Sequence, residues 1–366
     1  MTNQIDELVA RGEIGGRTVR ILETGDVDCH AYPVAPLAPG HVRVRTVTSA
    51  ISPGTEMTYL GAGATNPYLH KRWDADLRLF VAGKPSVDYP IVFGYRAAGK
   101  VVESAAAAVP VGTRIYGKWR HTELVALPVD AALDQRIPDP LSFDDAVDLA
   151  QMAPIGMNAI AYAGDELDGM PTVVFGAGPV GLIVAQLAAA SGASAVHVVD
   201  RLASRLAIAK TCGLDTLLSA DGVDVARELK QRLGAEGIAI VFECTGSTRA
   251  LQEAIRTVRR RGRVVAVGFY QGEAAGLFLG DEFHHNGVEI RSAQIGNIHP
   301  AWSLALLRAR VIEMAVSGRV ALGSLPRVTF PVEKAAEAFA AIKKPDAVLQ
   351  AALAYEETAR SGKTRL

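Results

Sequence analysis

The chain has 366 residues, of which 49% are hydrophobic and 21% charged, an ordinary composition for a globular protein with ample core. Its formal net charge of −1 leaves no basic excess to hold nucleic acid, and no apolar run is long enough to span a membrane. The three cysteines are scattered without CxxC spacing and the N-terminus carries acids, so we expect a cytoplasmic protein without a signal peptide.

Residues 17–158 show mainly the pattern of β-structure. Alternating, β-branched segments lie at 18–22, 42–47, 94–102 and 124–127, with Pro and Gly turns between them. Many short strands at irregular spacing predict a barrel-like or Greek-key domain.

One segment, residues 62–90, interrupts this pattern and is long for a connection inside a compact domain. Trp73, Leu77 and Phe80 have helical spacing, so we predict a short helix that packs over the cleft. The alternative is a packed surface insertion that contacts no ligand.

Residues 159–296 alternate between strand and helix patterns, which predicts an α/β fold with a doubly wound parallel sheet. The predicted strands are 172–175, 195–199, 238–242, 263–267 and 288–292, and the predicted helices are 182–190, 202–212, 224–233 and 249–258. Mixed structure follows, with helices at 304–315 and 333–342, a strand at 348–354 able to rejoin the first domain, and a polar, frayed tail from Glu356.

A glycine-rich turn follows the first of these strands and opens a helix, the context that a GxGxxG motif needs to bind a dinucleotide. Gly176 lets the chain turn sharply, Gly178 has no Cβ to block a pyrophosphate, and Gly181 lets the helix pack close to the sheet. Pro179 and Val180 begin the helix, whose free N–H groups and dipole hold phosphate charge.

Asp200 ends the next strand, about 20 residues beyond the glycines, where its carboxylate can accept hydrogen bonds from both ribose hydroxyls of an adenosine. A carboxylate there repels a 2′-phosphate, so the motif favours NAD over NADP, although Arg201 could pair with that phosphate. The alternative is a structural βαβ turn that binds no nucleotide.

A β-rich first domain, an inserted nucleotide unit and a short return resemble the medium-chain dehydrogenase/reductase family, the alcohol-dehydrogenase-like enzymes. The resemblance covers essentially the whole chain and is carried by residues 94–102, 176–181, 200–210, 243–246 and 262–265. It implies a GroES-like catalytic domain (1–158 and 297–366) with an inserted Rossmann domain (159–296). Residues 52–56 and 283–286 look like a narrower branch that includes bacteriochlorophyllide-dehydrogenase-like proteins.

The zinc enzymes of this family hold their catalytic metal with a Cys, the His of a Gly-His-Glu motif, and a further Cys or Glu. Ser52, Tyr95 and Gln151 stand at these three places here, and Arg96 follows Tyr95. None of the three is a good zinc ligand and Arg96 would repel a cation, so we predict a zinc-free member with no other metal.

Without a metal, other groups must stabilise or deprotonate the alkoxide that develops when an alcohol gives up a hydride. Thr55 matches the family's relay hydroxyl and could pass a proton outward. Glu56 is a candidate base, or else an acid paired with Arg96. Tyr95 is a candidate donor to the substrate oxygen, or else a core tyrosine whose hydroxyl is tied locally.

Three residues are candidates for contact with a small-molecule substrate. Ser52 stands at a former ligand position, Lys118 follows a Gly at a strand end, and His299 begins the return to the first domain. The alternative for Lys118 is a surface lysine, the commoner outcome. His121 has the pattern of a simple strand residue, and the His pair at 284–285 that of a structural or interface element.

In the nucleotide domain the resemblance implies further cofactor contacts. Arg205 resembles the basic residue that flanks the adenine ribose, and Thr245 matches the loop beside the ribose and nicotinamide. Gly268 and Phe269 match the strand end that passes the nicotinamide ring.

The sequence therefore predicts a zinc-independent, NAD-dependent oxidoreductase of a secondary alcohol or its ketone, and the charged residues Lys71, Arg72 and Asp74 favour a polyol, sugar or cyclitol. The alternatives are an NAD(P)H-dependent reductase of activated double bonds or quinones, and a protein that binds NAD(H) without turnover. We expect no membrane or nucleic-acid partner, but a homodimer through the Rossmann domains that covers the edge strand 288–292.

Overall fold

The structure is a computed structural model that describes residues 15–60, 66–214 and 216–355. Its strands are β1 (Gly15–Ile21), β2 (Val27–Pro33), β3 (His41–Ala50), β4 (Arg72–Asp74), β5 (Leu79–Val81), β6 (Ala97–Ser104), β7 (Arg114–Gly117), β8 (Leu124–Pro128), β9 (Pro171–Phe175), β10 (Ala195–Asp200), β11 (Thr216–Ser219), β12 (Ile240–Glu243), β13 (Arg263–Ala266), β14 (Glu289–Ser292), β15 (Arg327–Pro331) and β16 (Gln350–Ala354).

The helices of the same residues are α1 (Val129–Asp134), α2 (Phe143–Leu149), α3 (Met152–Ala163), α4 (Pro179–Ala190), α5 (Ala203–Thr211), α6 (Val225–Leu233), α7 (Thr248–Thr257), α8 (His284–Asn286), α9 (Leu304–Val316) and α10 (Ala335–Ile342). A short 3-10 helix, Glu56–Tyr59, follows β3. Within the described ranges no helix combines the length and apolarity needed to cross a bilayer.

The nucleotide half is a parallel sheet in the order β11-β10-β9-β12-β13-β14. Its central strand β9 is almost wholly buried, because apolar clusters cover both faces of the sheet. The predicted doubly wound sheet is thereby confirmed. β11 was not among the predicted strands, since its four residues are too few and too polar at the ends to show a clear period.

The other half is a mixed sheet in the order β15-β16-β3-β6-β7, with β8 also paired to β3. The C-terminal strand β16 returns to this sheet and pairs antiparallel with β3, which aligns Ala352 with Ala50. The hairpin of β1 and β2 is connected to the rest of this domain by isolated β-bridges at Thr18 and Ile21. The chain thus leaves a β-rich domain, forms the parallel sheet and comes back, as the resemblance implied. The predicted domain boundary at 158/159 falls within α3 and stays a prediction.

The helix predicted from Trp73, Leu77 and Phe80 is wrong. These residues lie on the antiparallel hairpin of β4 and β5, where Trp73 pairs with Phe80 and their ring centroids are 4.9 Å apart. The connecting turn includes Arg78 at a φ of +53°, which no α-helix accommodates. All three apolar side chains are exposed, from 38% for Trp73 to 66% for Leu77. Residues 62–65 of the predicted insertion and the tail from Glu356 lie outside the described residues.

Candidate active site

The glycine-rich turn lies at the carboxyl edge of the parallel sheet, between β9 and α4. Gly176 has a φ of +98°, which residues with a side chain rarely adopt. A Cβ at Gly181 would overlap the carbonyl oxygen of Gly176, so only glycine lets α4 start this close to the turn. A Cβ at Gly178 would meet no described atom within 4 Å, and Pro179 and Val180 follow as the first helical residues. Open space therefore adjoins the N-terminus of α4, where a pyrophosphate fits.

Asp200, at the end of β10, lies beside this turn. Its Oδ2 accepts a hydrogen bond from the backbone N–H of Ala177 (2.7 Å), and its Oδ1 accepts one from Leu202 (2.9 Å). Each carboxylate oxygen can accept a further bond, so both can still bind ribose hydroxyls. Arg201 is exposed at the start of the following loop. The residues at this edge fit NAD.

Arg205 lies in α5 and is buried. Its Nε donates to the carbonyl oxygen of Pro345 (3.0 Å) and its Nη2 to that of Val348 (3.2 Å). Two of its three nitrogens therefore tie α5 to the segment before β16, and Nη1 and the second N–H of Nη2 are the donors left for a contact with the ribose.

A buried carboxylate, Glu243, organises the next strand end. It accepts hydrogen bonds from the backbone N–H groups of Thr245 (2.7 Å) and Gly246 (3.1 Å), and from the hydroxyls of Thr245 and Tyr270. Burial raises the pKa of Glu243, and these donors oppose that shift. A Cβ at Gly268 would overlap the nitrogen of Gly246. Thr245 and Gly268 thus lie at the same edge as the glycine turn, and their contact with a cofactor stays a prediction.

The loop after β13 crosses from the parallel sheet to the barrel. Phe269 is 39% exposed there, and Nε2 of Gln271 donates to the carbonyl oxygen of Gly54 (3.2 Å). Gly54 belongs to the turn that carries Ser52 and Thr55. The nucleotide edge and the barrel turn with the predicted catalytic residues therefore face each other.

Three hydroxyl groups meet at the barrel turn. The side chains of Ser52 and Thr55 lie close enough to the Tyr95 hydroxyl to lower its pKa as hydrogen-bond partners, against the larger effect of burial. Burial raises the pKa of Tyr95, and the charge of Glu56 raises it further. Ser52 is buried, whereas Thr55 is partly exposed at the start of the 3-10 helix. The structure thus brings together Ser52, Thr55 and Tyr95, which were predicted separately; we call these residues the hydroxyl cluster.

Glu56 lies directly beneath the hydroxyl cluster and is fully buried. Its Oε1 accepts a hydrogen bond from the backbone N–H of Ser52 (2.8 Å), and its Oε2 lies 2.8 Å from Nε2 of His121. The alternative that paired Glu56 with Arg96 is wrong. The interpretation of His121 as a simple strand residue is wrong, because it lies in the loop between β7 and β8. Since 65 positions separate it from Glu56, no local pattern joins the two.

Arg96 is also fully buried, but it faces another group. Its guanidinium binds the carboxylate of Asp148, and its Nη2 donates to Oε1 of Gln350 (2.8 Å). Asp148 also accepts a hydrogen bond from Arg327 (2.9 Å). Two guanidinium groups thus share one buried carboxylate, and Arg327 also binds the carboxylate of Asp144 (3.1 Å), so the charges of this group balance.

The donors at the three family ligand positions do not fit zinc. Tyr95 keeps its proton because burial raises its pKa, Ser52 offers a neutral hydroxyl, and Gln151 offers an amide. The Oε1 of Gln151 is buried and has no hydrogen-bond partner among the described residues. Those residues also contain no group of three or more His, Cys, Asp or Glu side chains placed to hold a metal ion.

The described contacts do not join the other two substrate candidates to the hydroxyl cluster. Lys118 lies just beyond β7, where partial burial of its ammonium group, and after it the nearby charge of Arg308, lowers its pKa. The backbone N–H of His299 donates to Oδ1 of Asn158 (3.0 Å), and its ring lies 5.1 Å from that of Tyr162. Both stay predictions.

Comparisons with known proteins agree with this geometry. A family model described as zinc-binding dehydrogenase matches residues 179–309. D-guloside 3-dehydrogenase of Escherichia coli (strain K12) is 29% identical over 316 residues, which cover 82% of this chain and 88% of that protein. Sorbitol dehydrogenase of Homo sapiens is 26% identical over 354 residues, which cover 87% and 90%.

Solved structures share the fold. The crystal structure of 2R,3R-butanediol dehydrogenase from Bacillus subtilis has a TM-score of 0.74 at 19% identity, and the match covers 93% of this chain and 100% of that one. The parallel sheet, the glycine turn, the returning strand β16 and these relatives lead to one conclusion. Over residues 179–309 the chain is similar to the zinc-binding dehydrogenases, and it is an oxidoreductase of the kind that acts on CH–OH groups.

Proposed function

We propose that the chain is an NAD-dependent, zinc-independent dehydrogenase that oxidises a secondary hydroxyl of a polyol, sugar or cyclitol, or reduces the matching ketone. The observation that carries the cofactor assignment is the open space at Gly178 next to the carboxylate of Asp200. An acid at that place accepts bonds from ribose hydroxyls and repels a 2′-phosphate.

The substrate class is supported by two independent features. The relatives reported above are named for a guloside and for sorbitol, both polyhydroxylated. Three hydroxyls meet where the substrate would enter, and hydroxyl groups can donate to and accept from a polyol in turn. The narrower likeness to bacteriochlorophyllide-dehydrogenase-like proteins names no substrate and stays a prediction, as does the cytoplasm as compartment.

The hydroxyl cluster has the groups that the reaction needs in place of a metal. Bound NAD supplies the hydride acceptor. Tyr95 keeps its proton, because burial and the charge of Glu56 raise its pKa, and it donates a hydrogen bond to the substrate oxygen. The proton released from the alcohol passes to the hydroxyls of Ser52 and Thr55, and the partly exposed Thr55 hands it to solvent.

The test is a metal analysis of the purified protein beside titrations with NAD and NADP. We expect no stoichiometric metal and an affinity for NAD at least about tenfold above that for NADP, a difference of about 1.4 kcal/mol. Stoichiometric zinc would refute the assignment of the hydroxyl cluster. A preference for NADPH would favour the reductase of double bonds or quinones.

The activity is tested with a panel of polyols, sugars and cyclitols, followed by NADH absorbance. The variant Tyr95→Phe removes one oxygen atom and should lower kcat on any panel substrate by about a hundredfold, in line with the loss of one positioned donor. Tight NAD binding without turnover of any panel member would instead support the non-catalytic alternative.

We also propose a homodimer formed through the parallel sheets. All four residues of the edge strand β14 are exposed, and Ile290 among them is apolar. Pairing of two copies of β14 about a two-fold axis would extend the sheet and cover this edge. Size-exclusion chromatography with light scattering should give twice the chain mass, and Ile290→Asp should give a monomer. A wild-type monomer at micromolar concentration would contradict the proposal.

A further inference from the structure

Four buried side chains form one continuous hydrogen-bonded chain beneath the hydroxyl cluster. Glu56 Oε2 lies 2.8 Å from His121 Nε2, His121 Nδ1 lies 2.7 Å from Ser49 Oγ, and Ser49 Oγ lies 2.9 Å from Tyr355 Oη. None of the four is more than 1% exposed. We call this set the buried relay of residues 49, 56, 121 and 355.

We assign the protons so that Glu56 is the terminal acceptor, an arrangement that satisfies every link. Tyr355 donates to Ser49, Ser49 donates to Nδ1 of His121, and Nε2–H of His121 donates to the ionised carboxylate of Glu56. Burial raises the pKa of Tyr355, so its phenol keeps the proton that starts the series. Ser49 and His121 then each donate once and accept once, Tyr355 donates, and the series ends on the carboxylate of Glu56, which accepts.

The carboxylate of Glu56 connects this series to the site. Its other oxygen accepts the backbone N–H of Ser52 (2.8 Å), which fixes the turn that carries two of the three site hydroxyls. Its negative charge also acts on Tyr95 from below. A buried carboxylate with a fixed orientation therefore sets both the position of Ser52 and the protonated form of Tyr95.

We infer that His121, Ser49 and Tyr355 are positioning residues, which hold the ionised carboxylate of Glu56 in place and through it the hydroxyl cluster. This inference rests on the proposed function in one respect, namely that the hydroxyl cluster is the place where the substrate reacts. No metal or cofactor takes part in the contacts that carry it.

The groups packed around the buried relay are already paired or apolar. Arg17 binds Glu123 (2.7 Å) and also Glu333, and these charges lie near Tyr355 together with Cys29. The Phe339 ring packs edge-on against His121 at 6.4 Å. On the other side of Tyr95, Arg96 is bound to Asp148. Within the described residues, His121 is thus the side chain that binds Oε2 of Glu56.

The experiment uses the full chain labelled with 3-fluorotyrosine, in which ¹⁹F NMR reports each of the nine tyrosines. The Tyr95 signal is identified by its absence in Tyr95→Phe. We expect it to shift in His121→Leu and Ser49→Ala and to return towards its wild-type position in His121→Gln, whose amide can still donate to Glu56. In Glu56→Gln, Tyr95 should ionise at lower pH than in the wild type, because the charge that raises its pKa is gone.

Tyr355→Phe removes one buried oxygen atom and keeps the ring, so it tests the far end of the buried relay. Its matched control is Tyr32→Phe, because among the described residues the Tyr32 hydroxyl bonds the backbone of Leu124, at 2.6 Å to the oxygen, within the same domain. Tyr355→Phe should shift the Tyr95 signal and Tyr32→Phe should not. If His121→Leu fails to fold, this pair still decides the question.

Activity on a substrate from the panel separates this inference from the proposed function. We expect His121→Leu to lose about tenfold in kcat with an unchanged KM for NAD, and His121→Gln to recover most of it. A shifted Tyr95 signal without turnover in the wild type would overturn the proposed function alone. Turnover and a Tyr95 signal that stay as in the wild type in His121→Leu and Tyr355→Phe would overturn the inference alone.

Discussion

Two glycines of the same turn should respond to the same substitution in opposite ways. At Gly178 the backbone is extended, with a φ of −77°, and an added Cβ meets no described atom within 4 Å. At Gly181 the added Cβ would overlap the carbonyl oxygen of Gly176 and lie 3.0 Å from its carbon, and backbone cannot yield as a side chain does. We therefore expect Gly178→Ala to cost cofactor affinity and Gly181→Ala to cost stability.

The magnitudes follow from these distances. Overpacking costs about 1–3 kcal/mol or more, and the better helix propensity of Ala returns about 1 kcal/mol, so Gly181→Ala should lose roughly 2 kcal/mol. That corresponds to a fall in Tm of roughly 5 °C for a domain of this size. Gly178→Ala changes an N-cap and should cost about 0.5 kcal/mol. Its methyl group occupies the approach of the pyrophosphate, so NAD should bind at least about tenfold more weakly.

The assay combines thermal unfolding of the apoprotein with calorimetric titration of NAD. Gly280→Ala is the control, because its added Cβ also meets nothing within 4 Å but lies far along the chain from the turn. Normal NAD affinity in Gly178→Ala would show that the phosphates do not approach this glycine. A normal Tm in Gly181→Ala would show that α4 does not pack against the turn as described.

Three further substitutions test single groups. Asp200→Ser removes the repulsion of a 2′-phosphate, so the affinity ratio of NAD to NADP should fall about tenfold or more in paired titrations. Glu243→Gln replaces a carboxylate that accepts four hydrogen bonds by an amide whose NH2 group cannot accept them. The free energy of unfolding, measured in urea melts, should therefore fall by about 1–3 kcal/mol. Burial lowers the pKa of His197, so the wild type should lose stability as the pH falls below 6.5 towards the pKa of His197 in the folded protein. His197→Phe should lose less stability over that pH window. The control His30→Gln, at an exposed position, should behave as the wild type.

The nucleotide edge was predictable because its signals are local. Gly176, Gly178 and Gly181 lie within one turn of chain, and each has a steric reason that holds wherever a strand meets a helix around a phosphate. Asp200 lies one strand further on, at the distance that a βα unit imposes. The structure places all four at one edge, with the geometry that those reasons require.

The hairpin of β4 and β5 shows where local signals fail. Three apolar residues at positions 73, 77 and 80 satisfy a helical period, but two of them equally satisfy a cross-strand pair once the chain turns between them. The turn contains no glycine or proline that would have marked it in the sequence. Arg78 takes up the left-handed backbone conformation there instead. The sequence pattern was compatible with both structures, and pairing of the strands decided between them.

The catalytic side depends on contacts that no local pattern contains. Residues predicted one by one around positions 52–56 and 95 do come together, because neighbouring strands of one barrel carry them. Their support comes from much further away: Glu56 reaches His121 across 65 positions, and Ser49 reaches Tyr355 across 306. The contact between Ser49 and Tyr355 forms only because β16 returns to pair with β3, and Tyr355 follows β16 directly. The orientation of the buried carboxylate is therefore a product of the order of the domains, and a relative that kept the 52–56 turn but altered its last strand would lose that support.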